Sequence, residues 1–509
     1  MDLFLIIPLS ITILVAAHYL FQRLRFKLPP GPNPWPVIGN IYDIKPIQFR
    51  CFHELAQTYG PIFSFTIASE LNVVVSNAEL AKEVLKVHDQ SLCNRHRSKG
   101  GRVTEDGVDF IWADYGPYYV KARKVCSLAL FNPKAVDAYR PNRENEVNAM
   151  VELLFNDCTD SVNKGKPLTI RRYLEMLSFN NITRSTFGKR FINSKGEIDS
   201  KGKEIKSVLN GLMVKSKRRD KVDEYPPCLR WLLTLTSNRK KDDQETTMLI
   251  SHQKNQIIRD MVKDGAITNQ CLLGTLLTLK EEYDLNEEII STLCWMIIAG
   301  SDTIVITIEW ALTELLRNPR VQKKAQEELD ENIGNERIMT EEDFSNLPYL
   351  QAIAKESLRL HPPTPLMLPH KAKTHVKIGG YDVPKGSIVH VNVWALGRDP
   401  NIWDDVNEFR PERFLEEDVD VKGHDFRLLP FGAGRRTCPA TQVGVNLLTS
   451  TLGHLLHHFD WKPPNGVNVD EIDMSENPGV VTYMSTPLQA IPIPRLTANL
   501  YKCLSSMNS

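Results

Sequence analysis

Residues 285–318 constrain this chain more than any other stretch. Their middle is nearly all apolar; they open on Asp284 and Glu287 in capping-box spacing and stop at Asn318-Pro319. As one helix they would run about 50 Å. Ala299-Gly300-Ser301-Asp302-Thr303 breaks the apolar run and Glu309 follows closely, so lipid is a costly place for it. The expectation is a helix through the centre of a large protein, carrying a polar notch. Apolar residues spaced by three and four predict further helices over 77–88, 136–156 and 320–333. Strand-like runs Leu71–Ser76, Val376–Ile378 and Val389–Val393 predict small sheets near each end. The fold class is therefore mainly α with small β-sheets. No linker, low-complexity tract or repeat interrupts residues 41–500, so 41–509 reads as one large domain.

Ahead of that domain, residues 3–21 are apolar apart from Ser10, Thr12 and His18, long enough to span a hydrocarbon core. Asp2 precedes the run and Arg23, Arg25 and Lys27 follow it, which orients the bulk of the chain towards the cytosol. A cleaved signal would carry its positive charge first. The reading is an uncleaved single-pass anchor over 1–22, then a basic, proline-rich hinge over 23–40 (Leu28-Pro29-Pro30-Gly31-Pro32-Asn33-Pro34-Trp35-Pro36) acting as a stiff spacer. The 62 basic and 62 acidic residues cancel, leaving no global field for a nucleic-acid partner. Nine scattered cysteines without a CxxC pair support neither a zinc ribbon nor a redox dithiol. The sequon Asn181-Ile182-Thr183 reads as a chance match in a cytosolic domain.

One cysteine stands apart. Phe431-Gly432-Ala433-Gly434-Arg435-Arg436-Thr437-Cys438-Pro439-Ala440 precedes an apolar helical pattern, Val443 to Leu456. A thiolate at a helix start is favoured by the dipole and by free backbone N–H groups. The glycines permit tight turns and close approach to a flat ligand, and Arg436 can pair with an anionic group. As a nucleotide loop the stretch fails, because Thr437 stands where a third glycine belongs. A merely buried cysteine would leave the flanking Phe, Gly and Arg unexplained.

The stretch resembles the FxxGxRxC haem-binding signature of the cytochrome P450 superfamily, with Cys438 at the axial-ligand position. Lys355-Glu356-Ser357-Leu358-Arg359 resembles the family's ExxR pair, Arg413 in Pro411-Glu412-Arg413-Phe414 the third member of that network, and residues 299–303 the oxygen-activation motif. The resemblance implies a P450 fold around haem b, a monooxygenase activity, and electrons from NADPH through a separate reductase. Glu356, Arg359 and Arg413 would lock the segment that presents the cysteine loop. Asp302 and Thr303 would be the catalytic pair, organising water to deliver protons. The alternative for them is a simple Ser/Thr distortion of the helix. Arg123, Arg436 and His370 would meet the haem propionates, with Tyr119 replacing the usual Trp as a phenolic donor and Phe431 against the ring. Ala440 and Ile304 also depart from the pattern, where Gly and Thr or Ser are commonest. Lys121-Ala122-Arg123-Lys124 with Arg435 could dock an acidic reductase. The resemblance also implies an endoplasmic-reticulum membrane location, with the catalytic domain facing the cytosol.

Beyond the superfamily, the chain after the anchor resembles the plant 4-coumaroyl-ester 3′-hydroxylases of phenylpropanoid and lignin metabolism. FRCFHELAQTYGPI (49–62), IWADYGPYYVKARKVC (111–126), RLHPPTPLMLPHKA (359–372), PERFLEEDVDVKGHDFRLLPFGAGRR (411–436) and ENPGVVTYMSTP (476–487) carry the likeness. The implied substrate is a phenolic small molecule, coumaroyl shikimate or quinate; hydroxyphenyllactate esters and amine conjugates are the alternatives. The expected pocket draws on Ile298, Ala299, Pro365, Leu366, Leu368, Val480 and Val481. Ser98–Phe110 and 213–246 look least like the family and usually face the distal half of the substrate. Two other classes stay open at this point: a haem isomerase or dehydratase that does not activate oxygen, and a haem sensor or electron carrier.

Overall fold

Runs of apolar residues spaced by three and four become helices here, and they dominate. The structure, a computed structural model, describes residues 25–36, 38–96, 110–217, 239–263, 271–295 and 298–501. The expected anchor at 1–22 lies outside these residues, as do 98–109 and 218–238 of the two divergent loops.

The helices that position the site are, in chain order, α1 (Gln48–Tyr59), α2 (Pro117–Cys126), α3 (Arg140–Thr159), α4 (Ile170–Phe187), α5 (Glu287–Trp295), α6 (Ile298–Arg317), α7 (Pro319–Asn332), α8 (Pro348–Leu360) and α9 (Thr441–His458). The strands are β1 (Ile62–Ile67), β2 (Glu70–Val75), β3 (Asn94–Arg95), β4 (Leu168–Thr169), β5 (His370–Lys371), β6 (Val376–Ile378), β7 (Tyr381–Val383), β8 (Ile388–Val391), β9 (Phe459–Lys462) and β10 (Gln489–Pro494). One sheet has the order β1-β2-β8-β5-β3, the next β4-β10-β9, and β6-β7 form a hairpin. β2 and β8 pair in parallel, Asn72 opposite Ile388 and Val75 opposite Val391. Val73, Val74 and Val75 are all fully buried, the continuous apolar run that a strand covered on both faces requires.

Helix α6 runs through the middle. By composition Glu287–Arg317 could cross a membrane, but α4, α8 and α9 pack around it and bury Ile306, Ile308, Ala311, Leu312 and Leu315 completely. Its buried acids are satisfied inside the protein: Glu309 takes Arg171 of α4 at 2.7 Å and the Leu488 amide at 3.1 Å, and Glu314 pairs with His361 at 2.7 Å. The start of the segment differs from the expected capping box. Asp284 sits at φ 46°, in a left-handed turn, and the Asn286 side chain accepts the Ile289 amide at 2.8 Å instead. Strand β8 likewise ends at Val391, because the Asn392 side chain caps a helical turn at Val393–Leu396.

The proline-rich spacer is docked from Pro29 onward. Ser64 of β1 donates its amide to the Pro30 carbonyl at 2.7 Å and its hydroxyl to the Pro29 carbonyl at 2.8 Å. A Cβ on Gly31 would fall 1.8 Å from the Ser64 carbonyl oxygen, so only glycine permits this approach.

Candidate active site

The cysteine loop is closed by its own backbone. The Cys438 amide donates to the Phe431 carbonyl at 2.8 Å and the Thr437 amide to the Gly434 carbonyl at 3.1 Å. Gly432 and Gly434 have φ of 69° and 68°. At Gly434 a Cβ would also lie 2.2 Å from the Leu85 carbonyl oxygen. Ala440, by contrast, has φ −94°, an ordinary conformation for alanine, so the departure from glycine carries no strain. Six other described cysteines are buried; Cys438 is half-buried and faces a cavity of about 360 Å³. Burial pushes its thiol up, while a hydrogen bond from the Ala440 amide and the charge of Arg123 pull the other way. Phe431 lies on the same wall, its ring edge within 3.5 Å of where a Gly444 side chain would begin.

Arg95, Arg123, Arg436 and His370 line the same cavity. Arg123 donates to the Thr437 carbonyl at 2.8 Å, Arg436 to the Cys93 carbonyl at 2.7 Å, and Arg95 to the Leu368 carbonyl at 2.6 Å. Among the described residues none of the three arginines pairs with a carboxylate, and Arg95 Nε is buried with no partner. Burial and the Arg436 charge hold the Arg95 guanidinium down at about 9. Buried cations lacking counter-charge fit a ligand that brings its own carboxylates. His370 donates from Nδ1 to the Leu92 carbonyl, 2.8 Å away; burial and the nearby Arg95 hold its pKa well below the usual imidazole range. Arg95 was not singled out from sequence. Tyr119 differs from the expected propionate donor: its hydroxyl donates to the Arg435 carbonyl at 3.2 Å and accepts from Arg123, and its ring lies 3.9 Å beneath the Arg436 guanidinium. Its single proton is already committed to the protein.

Behind the loop stands a buried charge network. Arg359 forks onto Glu356 at 2.6 and 2.8 Å, and Arg413 reaches the same carboxylate at 3.2 Å. Arg359 also donates to the Val406 and Glu408 carbonyls and Arg413 to that of Asp404, so the pair on α8 fixes the irregular stretch leading to the cysteine loop. All three side chains are buried.

On the α6 wall, Ala299, Gly300, Thr303 and Ile304 face the cavity. Asp302 is not among its lining residues; it accepts a hydrogen bond from the Tyr483 hydroxyl instead. Thr303 bonds back to the Ala299 carbonyl at 3.0 Å and Thr307 to that of Thr303 at 2.8 Å. Ile298 opens α6. Of the remaining expected pocket residues Leu368 reaches the wall. Pro365, Leu366, Val480 and Val481 do not: Leu366 packs on the Phe52–Phe63 cluster and Val481 on the main core. Their neighbours Pro363, Thr364 and Met367 line the cavity, Met367 at a left-handed φ of 52°. Arg123 of the basic stretch turns inward and Ala122 is buried, while Lys124 and Arg435 stay exposed.

A cavity with one thiol, clustered unpaired cations and a central notched helix defines a haem-thiolate protein. The cytochrome P450 family model matches residues 29–490, and the chain belongs to that family. It is 57% identical to cytochrome P450 98A2 of Glycine max, over 99% of both chains, and 53% identical to cytochrome P450 98A1 of Sorghum bicolor, over 97% of both. The flavonoid 3′-monooxygenase of Petunia hybrida is 36% identical over 94% of both. A solved zebrafish cytochrome P450, with abiraterone, matches at TM-score 0.71 and 25% identity, covering 89% of this chain and 99% of that one. The protein is a haem b-dependent P450 monooxygenase that receives its electrons from a redox-partner reductase.

Proposed function

We propose that this P450 hydroxylates the 3′ (meta) position of the aromatic ring in a 4-coumaroyl conjugate such as the shikimate or quinate ester. The observation that carries it is a single cavity with Cys438 in one wall and an apolar face of α6, bearing Thr303, in another. Full-length similarity to the 98A-numbered relatives supports the assignment, and the name of the Petunia relative is in keeping with ring hydroxylation at this position.

When bound, the haem activates dioxygen, and donation from the thiolate promotes O–O cleavage. The protein's part is to hold and to steer. Cys438 supplies the ligand, Arg95, Arg123 and Arg436 hold the propionates, and Phe431 packs beside them. Glu356, Arg359 and Arg413 keep the loop in place. Thr303 holds water in the notch so that protons enter from the α6 side. Asp302, bonded to Tyr483 outside the cavity, positions the notch rather than that water. Residues 1–22 anchor the chain in the endoplasmic reticulum, 23–40 set the standoff, and 41–509 form the catalytic domain on the cytosolic side. Lys124 and Arg435, with exposed Val120 and Leu128 alongside α2, offer NADPH–cytochrome P450 reductase a basic docking face.

Incubation with that reductase, NADPH and coumaroyl shikimate, quinate, hydroxyphenyllactate and amine conjugates tests the reading. The expected product is the corresponding caffeoyl compound, and absence of turnover with every conjugate refutes it.

A further inference from the structure

Helices α4 and α6 cross antiparallel. Arg171 lies at Glu309, 2.7 Å away; the Ser178 hydroxyl donates to the Ser301 carbonyl at 2.8 Å; and a Cβ on Gly300 would come 3.9 Å from Ile182 Cδ1. The α4 face in this seam carries Ser178, Asn181 and Ser185, spaced by three and four and so on one stripe. Two core helices ordinarily bury apolar side chains against each other. Asn181 and Ser185 also reach the cavity wall shared with Gly300, Thr303 and Cys438.

Asn181 is 6% exposed, and its Oδ1 has no hydrogen-bond partner among the described residues. Asn180 beside it shows what a satisfied amide looks like here. It donates to the Ile192 carbonyl at 2.9 Å and accepts the Ile192 amide at 3.0 Å. An unpaired buried amide is costly, and folded proteins usually meet such groups with an ordered water. Glycosylation does not explain the residue, since it is buried in the middle of α4.

We infer that Asn181 holds a water molecule at the α4 edge of the cavity, making it a positioning residue for the water that serves Thr303. The inference rests on the role of Thr303 proposed above. Only a proton moves: the held water gives one towards Thr303 and regains one from solvent, so no oxidant or reductant takes part.

Asn181→Leu keeps the branched shape and removes the amide, while Asn181→Ser keeps a group able to hold water. Wild-type and variant holoenzymes are compared by haem content, melting temperature, substrate-binding spectrum, product formed per NADPH and solvent isotope effect. Asn181→Leu is expected to load haem fully and melt no lower than wild type. It should form about threefold less product per NADPH and alter the solvent isotope effect, with Asn181→Ser recovering at least part of the loss. A crystal structure of the wild-type holoenzyme should show a water within about 3.2 Å of Asn181 Oδ1. A dry Asn181 overturns the inference, and so does Asn181→Leu with unchanged coupling and isotope effect. Weakened substrate binding with coupling intact also overturns it, making Asn181 a substrate contact. Thr303→Ala measured alongside separates the two readings: normal coupling there removes the role of Thr303, while an uncoupled Thr303→Ala beside a normal Asn181→Leu removes only that of Asn181.

Discussion

The Tyr483 hydroxyl donates a hydrogen bond to the Asp302 carboxylate, and burial together with that bond pushes the phenol far above its usual range. Arg171 extends the arrangement, its guanidinium 5.4 Å from the Tyr483 ring centre while it pairs with Glu309. Asp302 is therefore tied to Tyr483, and Glu309 to α4 and the Leu488 amide, rather than to the cavity. Thr303, one residue on from Asp302, remains on the wall.

This division predicts unequal mutants. Thr303→Ala removes the polar group at the notch and should bind haem and substrate normally while diverting about tenfold more electrons to peroxide. Tyr483→Phe keeps the ring beneath Arg171 and loses one hydrogen bond to a half-buried acid, a stability change of about 1 kcal/mol. Its effect on coupling should be the smaller of the two. Product and peroxide counted per NADPH check both, and unchanged coupling in Thr303→Ala would take that residue out of the mechanism.

Glu356 neutralises two buried arginines at once. Glu356→Ala leaves both charges uncompensated at a cost of about 3–5 kcal/mol. Arg359→Lys cannot replace the fork that binds Glu356 and reaches the Val406 and Glu408 carbonyls together. Either variant should lose the red-shifted carbon monoxide absorption of thiolate-ligated haem. A normal spectrum from Glu356→Ala would mean that the network does not govern the cysteine loop.

Two small substitutions in that loop should behave in opposite ways. Gly434→Ala sets a methyl against the Leu85 carbonyl at a φ of 68°, so haem content should fall severely. Ala440→Gly relieves nothing, because φ there is −94°, and should retain wild-type haem content. Haem content after purification reads both.

The elements that local chemistry determines were legible in the sequence. The cysteine loop announces itself through glycines and a helix start, and the Glu356–Arg359 pair through its spacing on one helix face. What depends on orientation was harder to read. Neighbouring helical residues point about 100° apart, so the motif containing Asp302 and Thr303 does not say which faces the cavity. In 363–368 the chain turns through a left-handed Met367, and of the expected stretch 365–368 only Met367 and Leu368 reach the wall, with Thr364 beside them. Arg95 carries no local signal. Its place on the wall arises only when β3 pairs with β5, setting Arg95 opposite His370.

The end of α9 provides a test of acid stability. His454, His457 and His458 are all fully buried, with His454 and His458 stacked at 5.6 Å. One ring nitrogen of each lacks a partner among the described residues. Burial, outweighing the hydrogen bond to the Ser450 carbonyl, lowers His454 to about 4; burial also lowers His457 and holds His458 well below its usual value. In the unfolded chain these rings take up protons below about pH 6.5. Between that pH and about 4 the unfolded state binds more protons, so stability is complete above 6.5 and declines as pH falls. The slope is about 1.4 kcal/mol per pH unit for each histidine that remains neutral in the fold. His458→Phe, set among Phe459 and Tyr501, should flatten that decline while leaving neutral-pH activity intact. Denaturant midpoints at pH 7, 6 and 5 measure it, and an identical slope in the variant would assign the acid sensitivity to other groups.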